Sequence, residues 1–242
     1  MGGRNPLVLL VFAFSIFGIF IWGAINSNSK IKQKDPVCKI FLVEGDVTIV
    51  RVEENTDWAE EGMDLYSGDK LITGSDGIAK LKFGDFVTMV VGRNSIYVIN
   101  YENLKNDGTT KSIHSSLLDG LGLISIDSSN RIKFMIKTPH IVAGSLGRTF
   151  ALEVNGGNDN DIDSSLTSGD TTLVVHSGLV SFENRGNKLN VGSGSGAKGD
   201  GRRSSKLIKK VFDTNIKLTK YLQNFLSNDA LGGTGLSTIF NF

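Results

Sequence analysis

The chain has 242 residues, with 26 Lys plus Arg against 25 Asp plus Glu and a formal net charge of +1. That balance argues against wrapping nucleic acid by phosphate neutralisation, and the single cysteine, Cys38, excludes an internal disulfide or a cysteine-only zinc site. A hydrophobic content of 40% is too rich for wholesale disorder, while 29 Gly against 3 Pro points to many tight turns.

In chain order, residues 1–6 are a short leader. The run Leu7 to Ile25, LVLLVFAFSIFGIFIWGAI, carries no charge. As a helix it rises roughly 28 Å, close to the hydrocarbon thickness of a bilayer, and Trp22 suits an interface. The run exceeds a signal-peptide core of roughly 7–15 residues. Ser27 and Ser29 make a mediocre cleavage site, so an uncleaved transmembrane signal anchor is the preferred reading. Arg4 lies on one side, and Lys30, Lys32 and Lys34 lie on the other. Taken literally, the positive-inside rule puts the body in the cytoplasm, but the bias is small.

A polar linker occupies residues 26–38, with Cys38 in the tether or first strand. There it is either a reduced spectator or a cross-link between two copies in an oxidising compartment. The body, residues 39–200, then reads as short β-rich runs: 39–44, 47–52, 77–83, 86–91, 95–101, 121–127, 131–138, 148–154, 171–176, 179–184 and 188–191. Breaks such as Gly45-Asp46, Gly84-Asp85 and Ser128-Ser129-Asn130 separate them, the pattern of an antiparallel architecture of short strands. Ala79, Leu81 and Phe83 alternate with Lys80 and Lys82, so one face is core and the other wet. Ser67-Gly68-Asp69 with Gly77 is echoed by Ser168-Gly169-Asp170 with Gly178, a weak sign of a repeated unit.

Candidate chemistry is sparse. His114, His140 and His176 are isolated in sequence, and Gly192 to Gly196 alternates Gly and Ser as flexible segments do, without a nucleophile-elbow context. Asp159, Asp161, Asp163 and Asp170 partly match the alternate spacing of a calcium loop, but Ser164 stands where the sharp turn wants Gly. A solvated acidic loop is the plainer reading. Neither an enzyme nor a resident cofactor is expected.

Residues 204–228 read as a basic amphipathic helix. Leu207, Val211, Leu218, Leu222 and Phe225 recur at helical spacing among Lys206, Lys209, Lys210, Lys217 and Lys220. The helix is expected to dock on the domain, on an anionic membrane surface or on a partner. The tail, 229–242, is glycine-rich and ends in Phe240 and Phe242, an apolar tip for docking or a frayed terminus. The basic amino-terminal and carboxyl-terminal segments flank residues 36–203, which hold 17 basic and 22 acidic side chains.

The run Val43-Glu44-Gly45-Asp46-Val47, Trp58, Gly62, Leu65 and Gly68-Asp69-Lys70-Leu71-Ile72-Thr73-Gly74 resembles the opening of the FecR protein domain. Ala79 to Asp85, Asn94-Ser95, Gly120, Thr138-Pro139, Ala143-Gly144, Gly147, Phe150, Val174, Gly178, Val180 and Gly192 continue the likeness over roughly residues 40–200. Gly147-Arg148 departs from the usual Gly-Thr, so no role for that threonine carries over. The resemblance implies an all-β extracytoplasmic domain, a sandwich or solenoid, beyond a single membrane helix. It thereby places the body in the periplasm of a bacterial inner-membrane protein. The family's best-known members regulate sigma factors through a cytoplasmic domain ahead of that helix, and here only Met1 to Pro6 precede it.

The expectation is therefore a non-enzymatic, membrane-anchored envelope protein whose β domain binds or organises other envelope or membrane proteins, or a second copy of itself. The alternative is a FecR-type sensor acting through a partner membrane protein.

Overall fold

The computed structural model describes residues 35–52, 55–100, 111–127, 132–156, 169–184, 186–200 and 208–211, together with 218, 220, 221, 223 and 224. The chain divides into two units, Met1–Asp35 and Pro36–Phe242, and every described strand belongs to the second. The leader, the apolar run 7–25, residues 26–34 of the linker and the tail 229–242 lie outside the described residues. No helix among the described residues is long and apolar enough to cross a membrane.

The strands are β1 (Cys38–Glu44), β2 (Val47–Val50), β3 (Thr56–Trp58), β4 (Asp64–Leu65), β5 (Lys70–Thr73), β6 (Ile78–Phe83), β7 (Val87–Val91) and β8 (Ser95–Asn100). They continue with β9 (Lys111–Ile126), β10 (Ile132–Lys137), β11 (Val142–Asn155), β12 (Asp170–Asn184), β13 (Asn187–Gly192), β14 (Ser195–Asp200) and β15 (Ile208–Val211). Pairing arranges them in two layers. The first runs β3-β2-β5-β8-β9-β10-β11-β12-β13, and the second runs β4-β1-β6-β7-β9-β11-β12-β14-β15.

Strands β9, β11 and β12 are long, at 16, 14 and 15 residues, and each contributes one half to each layer. A pleated strand changes layers only by bending, and each bend carries a positive φ: Gly120 at 85°, Arg148 at 98° and Gly178 at 93°. At Gly120 a Cβ would also run into the Ser95 hydroxyl, so glycine is required there for space as well as for torsion.

The core fills the gap between the layers. Ile49, Leu71, Tyr97, Phe134 and Phe182 come from the first layer; Ile40, Leu81, Met89, Ile124 and Phe150 come from the second. Phe83 meets Phe134 edge to face across the gap, with ring centroids 5.8 Å apart. Alternation places every second residue here, as expected for Ala79, Leu81 and Phe83.

A separate cluster covers the outer face of the second layer. Ile78, Val90, Leu121, Leu123, Ala151 and Val174 point away from the main core and pack against Leu218 and Tyr221. The second layer is therefore apolar on both faces in its middle strands, and the carboxyl-terminal segment acts as its cover.

Several sequence expectations need correction. The strands are not uniformly short or antiparallel: 171–176 and 179–184 are the two arms of β12, and β9 pairs with β10 in parallel. Gly192 to Gly196 is not a free segment. Ser193 and Gly194 form the turn between β13 and β14, and β14 pairs with β12 from Asp170 to Val175. Residues 208–211, expected to be helical, form β15 against Ser195 to Lys198. The backbone edge of β14 explains this, because unpaired N–H and C=O groups there take a strand in preference to an isolated helical turn. Leu218, Lys220, Tyr221, Gln223 and Asn224 are helical. The Gly-Asp echo is no structural repeat, since Gly77 precedes β6 whereas Gly178 bends the middle of β12.

Candidate interaction surfaces

Leu218 is the one expected contact residue whose side chain the structure describes. It is 1% exposed, turned into the outer face of the second layer with Tyr221. Val211 lies in β15, and Leu207, Leu222, Phe225, Phe240 and Phe242 lie outside the described residues. Of the docking modes open to the carboxyl-terminal segment, contact with the chain's own domain accounts for Leu218.

Exposed apolar side chains stand elsewhere. Val47 and Ile49 of β2 face the core, so Thr48 faces out, and Trp58 lies directly opposite Thr48 on the same side. Trp58 is 68% exposed on β3, which among the described residues pairs only with β2, so that no described strand takes its far edge. Leu118 and Leu179 are also exposed and belong to strands of this layer. On the same layer, a cleft of about 540 Å³ is lined by Ser67, Asn100, His114, Met135 and Lys137. Asn100 Nδ2 donates to Ser116 Oγ at 2.7 Å beside it. On β1 of the second layer, Phe41 lies beneath two ammonium groups, with Lys82 Nζ 3.9 Å and Lys80 Nζ 5.6 Å from the ring centroid.

The candidate polar residues have mainly structural partners. Asp170 pairs with Lys198 Nζ at 2.9 Å and accepts from Asn155 Nδ2 at 3.2 Å, while Asp159, Asp161 and Asp163 lie outside the described residues. No group of three or more potential metal ligands occurs among the described residues. Cys38 is not in a tether. It opens β1, is 4% exposed, and its thiol is pushed well above the ordinary range, first by burial and then by Asp69 and Asp64. A protonated, buried thiol is a poor cross-linking group.

His140 is buried as well. Its Nδ1 lies 3.1 Å from Thr171 Oγ1, and Thr138 Oγ1 accepts from the backbone N–H of His140 and of Ile141 at 3.2 and 3.0 Å. Thr138 and Pro139 thus hold a tight turn over the end of β12. Sequence reading missed the pairing of Arg51 with Asp69. Arg51 Nη1 lies 2.6 Å from Asp69 Oδ2, and that same oxygen accepts the Tyr66 N–H at 2.8 Å. The Gly68-Asp69 corner does use its aspartate to cap backbone, as its composition suggested.

Residues 69–181 match the model of the FecR protein family. Over those residues the chain is similar to that family. The match is narrower than the span over which turn residues suggested it, and its quoted positions fall on bends and core. In the matched region Leu71, Ala79, Leu81 and Phe150 are buried, Gly120 and Gly178 bend strands, and Arg148 takes the bend of β11.

Two crystal structures from Parabacteroides distasonis ATCC 8503, each described as a candidate anti-sigma factor, are similar to the chain. They share 13% and 12% identity, with TM-scores of 0.48 and 0.46. The aligned part covers 64% and 63% of this chain and 64% and 62% of theirs, so the chain spans less than two thirds of either neighbour. No curated protein matches the sequence.

Proposed function

We propose that the protein is a membrane-anchored envelope component whose FecR-like β domain works by binding other proteins, without catalysis. One observation carries this reading: the glycine and apolar residues that carry the resemblance, such as Leu71, Leu81, Gly120, Phe150 and Gly178, fall on bends and in the core, which supports a frame that offers surface to a partner. In this reading the apolar run 7–25 is the anchor, and the resemblance to FecR proteins supports an extracytoplasmic body. Trp58 on β3 is the contact residue this reading favours, because an exposed tryptophan on an edge that no described strand takes combines hot-spot area with backbone donors and acceptors for a partner.

The FecR match itself favours a second reading, in which partner engagement changes with a signal and regulates a partner membrane protein. The test is purification of the full-length chain from cross-linked host membranes, with and without Trp58→Ala. A fixed stoichiometric complex, weakened by the substitution, supports the binding module. Partner composition that changes with growth conditions moves the role to regulation. Recovery of the chain alone under every condition overturns both.

A further inference from the structure

We infer that the β3 edge and the adjoining outer face of the first layer receive an extended, lysine- or arginine-rich segment of a partner protein. The inference rests on the protein-binding reading above and names the chemistry of the partner.

The surface that starts at Trp58 continues across three more strands. Trp58 lies opposite Thr48, Thr48 opposite Ile72, and Ile72 opposite Ile96, one row across β3, β2, β5 and β8. Their chain neighbours Val47, Leu71 and Tyr97 are buried in the core, so the row stands on the outer side. Ile72 and Ile96 keep part of their surface exposed. The outer face of the second layer, by contrast, has Leu218 and Tyr221 packed on it. Among the described residues β3 pairs with β2 alone, and its other side suits an added strand. In such an addition alternate side chains of the incoming segment fall beside Thr56 and Trp58.

Charge decides between occupants. Residues 52–64 carry six carboxylates, Glu53, Glu54, Asp57, Glu60, Glu61 and Asp64, and no Lys or Arg. Arg51 meets Asp57 at 3.4 Å and Lys39 meets Asp64 at 3.4 Å, each from outside that stretch. Glu60 and Glu61 are exposed just past Trp58. Carboxylates near an edge strand also keep copies of a protein apart. Two copies joined β3 to β3 would set these acidic stretches against each other, so a second copy is disfavoured. Repulsion alone leaves the tryptophan unexplained, since a guarded edge has no use for an indole that is 68% exposed. An ammonium or guanidinium group over the face of that indole, with glutamates beside it, is attracted by both. Nucleic acid and anionic lipid are repelled by the same carboxylates.

The test is titration of the full-length chain in mild detergent with the capped peptide Lys-Thr-Lys-Val-Lys-Thr-Lys. The chain carries Trp22→Phe, which leaves Trp58 as its one tryptophan. A peptide with glutamate in place of lysine, and an isomer with all its lysines consecutive, are the controls. The expected result is saturable binding that changes Trp58 fluorescence, is about tenfold tighter than for either control, and weakens as salt is raised. The double variant Glu60→Gln, Glu61→Gln and, by calorimetry, Trp58→Ala should each weaken it about tenfold with an unchanged melting temperature. No binding at about 1 mM, equal affinity for the isomer, or affinity unchanged in both variants overturns the inference. So does self-association of the full-length chain that Trp58→Ala abolishes, which gives the edge to a second copy. Failure of the peptide alongside a stoichiometric complex from host membranes overturns this inference and leaves the protein-binding reading standing.

Discussion

Arg148 of β11 pairs directly with Gly178 of β12, and both hold a positive φ, 98° and 93°. Two neighbouring strands therefore bend side by side, one on glycine and the other on a residue with a Cβ. An L side chain at such a torsion costs on the order of 1–3 kcal/mol. The Arg148 side chain is exposed, so little packing offsets that cost. Arg148→Gly is expected to stabilise the domain by about 1 kcal/mol after the added freedom of the unfolded chain is subtracted. Gly178→Ala should destabilise it by a similar amount or more. Chemical denaturation of both variants checks the pair, and a destabilised Arg148→Gly contradicts the strain.

Asp69 is 3% exposed, and its Oδ2 serves both the Arg51 guanidinium and the Tyr66 backbone. Removing that acceptor leaves a partly buried cation and an unpaired N–H. Asp69→Ala is expected to cost about 2–3 kcal/mol, below the full value for a buried pair because Arg51 retains some contact with water. Arg51→Ala should cost less, since Asp69 keeps its backbone donor. Equal stability of Asp69→Ala and wild type would falsify this assignment.

His140 titrates below the ordinary histidine range. Burial lowers its pKa, opposed in smaller measure by the carboxylates of Asp170 and Asp200, the first of which is paired with Lys198. With the folded pKa depressed, the unfolded chain binds the proton more readily. Stability is therefore full above the unfolded value, about 6.5, and falls as the pH drops below it towards the folded pKa. Thermal melts between pH 7.5 and pH 5, roughly the histidine range, should show that decline in wild type and a flatter profile in His140→Gln. A wild-type profile flatter than that of the variant contradicts the sign.

Leu218 and Tyr221 close the outer face of the second layer over Ile78, Val90, Leu123 and Val174. Leu218→Ala should cost about 2 kcal/mol, at the low end for a buried leucine, because a terminal segment can relax more than an interior strand. Hydrogen exchange at the amides of β7 and the second half of β9 should rise after truncation beyond Val211. Unaltered exchange and stability would mean that the segment does not cover this face in solution.

Local signals were the legible ones. Gly84-Asp85 and the alternation from Ala79 to Phe83 were readable because a turn and a half-buried strand are encoded within a few residues. The two arms of β12 were not joined, because a strand with a mid-length glycine reads as two strands and a turn, and the first arm of β9, before Gly120, was not read as a strand at all. The strand β14, Ser195–Asp200, has no apolar alternation and exists because the edge of β12 pairs with it. One available signal went unused: Val90 and Leu123 put apolar side chains on the outward parity of strands whose inward parity was already apolar, which calls for a cover on both faces. The Arg51–Asp69 pair spans 18 residues, so it depends on tertiary placement.

Native mass spectrometry of the full-length chain, extracted from host membranes in mild detergent, tests the proposed binding role most directly. The expected spectrum shows the chain in a complex of fixed stoichiometry with a second protein, lost or reduced in Trp58→Ala. A spectrum of the chain alone, identical in wild type and variant across detergents and growth conditions, contradicts it.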